Sequence, residues 1–371
     1  MTDVVLFETL AASQGKKIGV ATLNVEKKLN SLSAEMVKLL LPQLQAWEQD
    51  ETIACVLLQG AGDKAFCAGG DVKALHDKIK AVGPLQALTF CQDFFENEYR
   101  LDYLIHRYRK PLILWGHGIV MGGGIGLMSG ASHRVVTEAS RLAMPEITIG
   151  LYPDVGGTWF LNHAPGRTGL FLGLTGANIN AADALFVGMA DRFIPAANKA
   201  SVIAALQQVV WETDAKQHHG QVSHVLREFE DLAALPASLV RNNYDLIQQL
   251  TDGDTCADVV HNILSHTTDD PWLGKAIATL KKGCPMTAHL VFEQLQRGKK
   301  WSLEQVFQME LVMSVQCCLH PDFPEGVRAL LVDKDGQPRW QHESVASVPA
   351  DWIEQHFTSP WAQHPLAGLG H

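Results

Sequence analysis

Three observations predict an α/β protein with a mainly helical C-terminal region. Apolar strand-like runs alternate with helical periods through the first half of the chain, two of those runs end in glycine-rich turns, and from about residue 198 onward the strand signal vanishes. Strands flanked by helices in this way are expected to be parallel and buried on both faces. The expected organisation is a core over residues 1–200 followed by a helical region over 201–371.

Taken in order, residues 3–9 and 16–24 have the residue types of a strand pair joined by Ser13-Gln14-Gly15. Ser33 is placed to cap a helix running to about Glu48, with a kink or break expected at Pro42 because proline lacks the N–H that the helix needs there. Ile53 to Gln59 is a buried strand, and Gly60 to Asp71 (GAGDKAFCAGGD) is a glycine-rich loop that opens a second helix. Residues 84–108 are helical by period, with Glu98 set among Phe90, Phe94, Phe95, Tyr99 and Tyr103. Pro111 to Trp115 is another apolar strand, and Met121-Gly122-Gly123-Gly124 is the turn behind it, from which a helix starts. Helical periods recur at 167–174 and 181–187 before a closing strand at 191–194. They then continue as helices alone at 200–211, 222–232, 239–249, 257–265, 272–282, 287–296 and 303–318.

Composition narrows the function classes. A formal charge of −10, with no basic cluster beyond doublets such as Lys299-Lys300, disfavours nucleic acid as a partner by repulsion. Seven cysteines with no CxxC pair fit core packing in a reducing compartment, and the 16 histidines form no HExxH or comparable metal spacing. Asp3 and Glu8 stand where a signal or transit peptide would be basic, so the expectation is a mature, cytoplasmic chain. Leu112 to Ala131 is about as long as a membrane span, but its seven glycines fit a strand, a turn and a buried helix better.

The candidate chemistry lies between Gly116 and Thr158. Glu146 in Met-Pro-Glu and Asp154 in Tyr-Pro-Asp-Val-Gly-Gly each follow a proline that stiffens the loop, which suits acid/base work. The apolar neighbours of Glu146 favour a cleft and a raised pKa over a solvated face. Asp154 could instead cap a short helix after Gly156. Two glycine turns could each supply one N–H to a shared oxyanion, from Gly70 and from Gly123, or could simply permit tight strand-to-helix turns. Unaided, Glu98 has the spacing of a helix-surface charge, and His117 and His133 suit satisfied core groups. Gly124 to Ser129 approximates GxGxxG with Glu146 at a ribose-like distance, but the third glycine is a serine and a dinucleotide fold has no use for the loop at 60–71.

AFCAGGD at 65–71, HGIVMGGGIGL at 117–127 and AMPEITIGLYPDVGG at 143–157 resemble the enoyl-CoA hydratase/isomerase (crotonase) superfamily. EGVRALLVDKDGQPRW at 325–340 is similar to the terminal motif of a hydrolase branch that ordinary crotonases lack, so the likeness runs nearly the whole chain. The resemblance implies a crotonase-like spiral of ββα turns in residues 1–200 that binds acyl-CoA, with loop 64–72 and the stretch 23–33 bordering the nucleotide. It implies an oxyanion hole at Gly70 and Gly123, catalytic residues Glu146 and Asp154, and substrate contacts from Glu98, Gly123, Glu146 and Asp154. Hydratases of the superfamily carry a further glutamate where this chain has Gly126, and a glycine where it has Asp154.

The implied activity is hydrolysis of a short branched 3-hydroxyacyl-CoA thioester, as in valine breakdown, with coenzyme A entering as part of the substrate. No metal or other cofactor is required, and neither a membrane nor nucleic acid is an expected partner. The superfamily's preference for trimers and their dimers leaves a homo-oligomer open. The rivals are a hydratase or isomerase on the same fold, a non-catalytic acyl-CoA-binding or RNA-associated relative, and a nicotinamide enzyme.

Overall fold

The structure, a computed structural model, describes residues 3–370. It forms two compact units, each assembled from separated stretches of chain. The first comprises 1–70, 100–142 and 179–239, and the second comprises 71–99, 143–178 and 240–371. The boundary at Tyr99/Arg100 falls inside one continuous helix.

The first unit is built on β1 (Val5–Ala11), β2 (Lys17–Leu23), β3 (Ile53–Gly60), β4 (Ala65–Cys67), β5 (Leu112–Gly116), β6 (Ile119–Met121), β7 (His133–Val136), β8 (Arg141–Ala143) and β9 (Arg192–Phe193). Six of these make one sheet in the order β1-β2-β3-β5-β7-β9, and the other three make a second in the order β4-β6-β8. β1 and β2 pair antiparallel, as the turn at Ser13–Gly15 requires, and every later pair in the larger sheet is parallel. The repeat is a ββα turn: β3, β4 and then α2 (Val72–Val82), followed by β5, β6 and then α4 (Gly123–Ser129). Each turn places its first strand in the larger sheet and its second in the smaller, one position along. This is the spiral of the expected α/β class.

Apolar residues on β2, β3, β5 and β7, among them Ile18, Val20, Leu57, Ile113, Trp115 and Val135, form one buried cluster with Val202, Leu206, Val222 and Leu226 of the following helices. The short strands β4, β6 and β8 are absent from the expectations, because three residues are too few to show a period. The helix capped by Ser33, α1 (Ala34–Gln49), is a second correction, since it runs through Pro42 without a break. Pro42 lies on the exposed face, where the carbonyl it leaves unpaired can meet water, while Met36, Val37, Leu40, Leu44 and Trp47 are buried and hold the helix on both sides of it.

After β9 only helices follow among the described residues. In the second unit, Pro285–Arg297 and Leu303–Leu319 are each largely buried, with apolar residues around much of their circumference. The other stretches of this unit that bear on chemistry are 143–178 and the C-terminal half of α3 (Pro84–His106) up to Tyr99.

Candidate active site

In the first unit, β4 and β6 pair in parallel, Ala65 with Ile119 and Cys67 with Val120, so the glycine turns that follow them lie side by side. At Gly124 the packing leaves no room for a side chain. A Cβ on Gly124 would lie 2.5 Å from the carbonyl oxygen of Cys67. Neither the Gly70 nor the Gly123 N–H has a backbone acceptor among the described residues. Both remain candidate donors. The GxGxxG-like stretch 124–129 lies wholly within α4 rather than at a phosphate-binding turn, which argues against a nicotinamide site. The span-like stretch at 112–131 divides into β5, β6 and α4, and no described helix is long and apolar enough to cross a membrane.

In the second unit three carboxylates gather. Glu98 is 3% exposed, Glu146 5% and Asp154 4%, so the helix-surface reading of Glu98 is wrong and the apolar setting expected for Glu146 is correct. Burial, reinforced by the charge of Asp154, raises the carboxyls of Glu98 and Glu146 well above the usual carboxylate range. Burial also raises Asp154 to about 6, opposed by the hydroxyl of Tyr99. Glu98 Oε1 and Glu146 Oε2 are buried without a hydrogen-bond partner among the described residues. Such atoms are costly in a purely structural role and are suited to meeting a polar substrate group.

Asp154 does not cap the helix that follows it. The side chain instead pairs with Tyr99 Oη at 2.7 Å, and α5 (Gly157–Asn162) has Gly156 at its N-cap with no side-chain cap. Val155 holds φ at +53°, a strained value for a β-branched residue. That turn is fixed from the Leu303–Leu319 helix, where Glu310 accepts the N–H groups of Gly156 and Thr158, and from Gln294, whose Nε2 donates to the carbonyl of Pro153 at 3.1 Å. Sequence reasoning missed Glu310 and Ser314. Their available signal was a charge and a hydroxyl, Glu310 and Ser314, flanked on both sides by apolar residues in the run Val306 to Cys318, since a buried charge needs a partner.

His133 is a satisfied structural group, whereas His117 is held through Nε2 and its Nδ1 is buried without a hydrogen-bond partner among the described residues. His117 Nε2 lies 2.8 Å from the Gly62 carbonyl, and the His133 ring meets Ser132, the His219 carbonyl and Ser223. No cluster of metal-ligating side chains occurs among the described residues. The C-terminal motif folds around Arg328, whose guanidinium reaches Glu325, Asp333 and Asp335 at 2.6–2.9 Å while Glu325 also accepts the Arg339 N–H.

A two-sheet spiral of ββα turns, glycine turns on its short strands and acidic residues on proline-stiffened loops are the attributes of one family, and residues 18–357 match its model, Enoyl-CoA hydratase/isomerase. The chain belongs to that family. It is 38% identical over 343 residues to the protein named 3-hydroxyisobutyryl-CoA hydrolase, mitochondrial, of Xenopus laevis, covering 92% of this chain and 86% of that one. It is 33% identical over 341 residues to the human protein of the same name, with 92% and 86% covered. Among solved structures, it resembles an enoyl-CoA hydratase from Rhodobacter sphaeroides 2.4.1 at 33% identity and TM-score 0.83, covering 96% of this chain and 98% of that one. It also resembles a carnitinyl-CoA dehydratase from Mycobacterium thermoresistibile at 35% identity and TM-score 0.85, with both chains covered in full.

Proposed function

We propose that this protein hydrolyses the thioester of 3-hydroxyisobutyryl-CoA, releasing 3-hydroxyisobutyrate and coenzyme A, a step of valine breakdown. The observation that carries the reading is the buried pair Glu146 and Asp154 combined with Gly126. Hydration of a conjugated enoyl thioester benefits from two carboxylates around one water, and the chain lacks the second hydratase glutamate while gaining an aspartate where hydratases have glycine. The names of the curated relatives support the same activity.

In the proposed reaction the thioester carbonyl becomes tetrahedral on attack, and the N–H groups of Gly70 and Gly123 stabilise the developing charge, at roughly 3 to 4 kcal/mol per donor in measured analogues. Glu146 either activates water or attacks directly to form an anhydride that water then opens. Collapse breaks the C–S bond, and the departing sulfur takes its proton from Asp154. Glu98 engages the substrate's 3-hydroxyl. The scheme uses no metal or redox cofactor.

A second reading, hydration or dehydration, is favoured by the names of the two solved relatives. One experiment separates them: thiol release and loss of enoyl absorbance measured across a panel of acyl-CoAs. Release of CoA from a 3-hydroxyacyl thioester should far outpace hydration of crotonyl-CoA, and the reverse order would overturn the hydrolase reading. The compartment proposed is the cytoplasm. Seven free, buried cysteines fit any reducing compartment, the mitochondrial matrix named for the relatives included.

A further inference from the structure

Asp154 stands at one end of a buried hydroxyl chain whose protons can be counted. Its Oδ2 lies 2.7 Å from Tyr99 Oη, which lies 2.6 Å from Ser314 Oγ, which lies 2.8 Å from Tyr152 Oη. Tyr152 Oη in turn donates to the backbone carbonyl of Glu310 at 2.6 Å. Tyr99, Tyr152 and Ser314 are each 0% exposed, so no bulk water supplies a missing partner.

The chain has four contacts and three hydroxyl protons. The carbonyl at its far end can only accept, so the Tyr152 proton points there. Ser314 then fills the contact to Tyr152, and Tyr99 fills the contact to Ser314. The contact between Asp154 and Tyr99 is left for a proton that only the carboxyl can bring. If Asp154 is ionised, Tyr99 must turn its proton to the carboxylate and Ser314 must turn to Tyr99. The oxygens of Ser314 and Tyr152 then face each other at 2.8 Å with no proton between them.

We propose that Ser314 and Tyr152 are positioning residues that engage the Tyr99 proton and so hold Asp154 as the neutral acid, the form able to protonate the departing thiol. The proposal rests on the reading of Asp154 as the proton donor. The groups facing Asp154 are Glu98 and Tyr99 from α3, Glu146 and Tyr152 from the proline loops, and Glu310, Cys317 and Cys318 from the Leu303–Leu319 helix. None of these is a cation, so any that ionises adds repulsion to an Asp154 anion.

Two substitutions should move Asp154 in opposite directions. Ser314→Ala removes the conflict that ionisation creates, because Tyr99 can then serve the carboxylate without leaving a contact unfilled. The midpoint should fall by roughly half to one pH unit, the worth of about one hydrogen bond. Tyr99→Phe removes the O–H that supports the carboxylate, and the midpoint should rise. Ser314→Thr keeps the hydroxyl and should keep the wild-type midpoint.

Two readouts apply: the pH dependence of kcat for thiol release, and the infrared absorption of the protonated carboxyl, assigned as the band lost in Asp154→Asn. Opposite shifts of that band in Ser314→Ala and Tyr99→Phe support the chain, and loss of packing alone gives no such pair of signs. An unshifted band in Ser314→Ala overturns the proposal, as does the absence at pH 5 of any band lost in Asp154→Asn. Shifts of the band without matching shifts of kcat leave the chain standing and remove Asp154 from the proton-donor role.

Discussion

Glu310 Oε2 accepts the N–H of Gly156 at 2.7 Å, across 154 residues of sequence. Its other oxygen accepts the N–H of Thr158 at 2.8 Å, so one buried carboxylate closes the turn that follows Asp154. Burial raises this carboxyl to about 8, and the two N–H groups oppose that rise. Left-handed Val155 lies inside the closed turn, at a strain of order 1 to 3 kcal/mol that the surrounding bonds must hold.

Glu310→Gln should therefore destabilise the protein and slow it. An amide has one acceptor oxygen for two N–H groups, so one donor is left facing an NH2, at a cost of about 2 to 3 kcal/mol. Because the turn presents Asp154, kcat should fall more than KM rises. Urea unfolding and steady-state thiol release report the two effects, and a variant with wild-type midpoint and turnover would show that the turn holds itself.

Glu146→Gln should abolish most turnover while leaving acyl-CoA binding in place, because the amide keeps the shape and loses the base. A positioned acid or base contributes about 10²- to 10⁴-fold in typical cases. Thioesterase activity within about tenfold of wild type, roughly 1.4 kcal/mol of barrier, would mean that the essential group lies elsewhere.

Glu98 tests substrate choice. The buried and unpartnered Oε1 is suited to accept a hydrogen bond from a 3-hydroxyl, and sites of that kind reject the deoxy analogue strongly. Wild type should prefer 3-hydroxyisobutyryl-CoA over isobutyryl-CoA in kcat/KM. In Glu98→Ala the preference should shrink, chiefly through loss on the hydroxylated substrate. If the ratio is the same in both proteins, Glu98 shapes the pocket wall and does not read the hydroxyl.

The sequence by itself determined the α/β class, the cap at Ser33, the buried strands expected at 53–59 and 111–115, the helical second half, and Glu146 and Asp154 as candidate carboxylates. These are local properties: apolar period, a capping hydroxyl, glycine behind a strand, proline before an acid. The resemblance carried by three motifs added the family and the substrate contact implied for Glu98, which periodicity alone would have left on a helix surface.

Only the tertiary structure decided which stretches pack together. Asp71 to Tyr99 joins the C-terminal helices rather than its sequence neighbours, and this brings Tyr99 to Ser314, 215 residues away. In the first unit, packing carried α1 through Pro42, overriding a local rule with burial on both sides of the proline. Packing also set what the carboxylates are. An acid in a loop has no fixed protonation until the fold removes its water, and Asp154 acquires its raised pKa from burial and its hydrogen-bond partner from residues that no local pattern links to it.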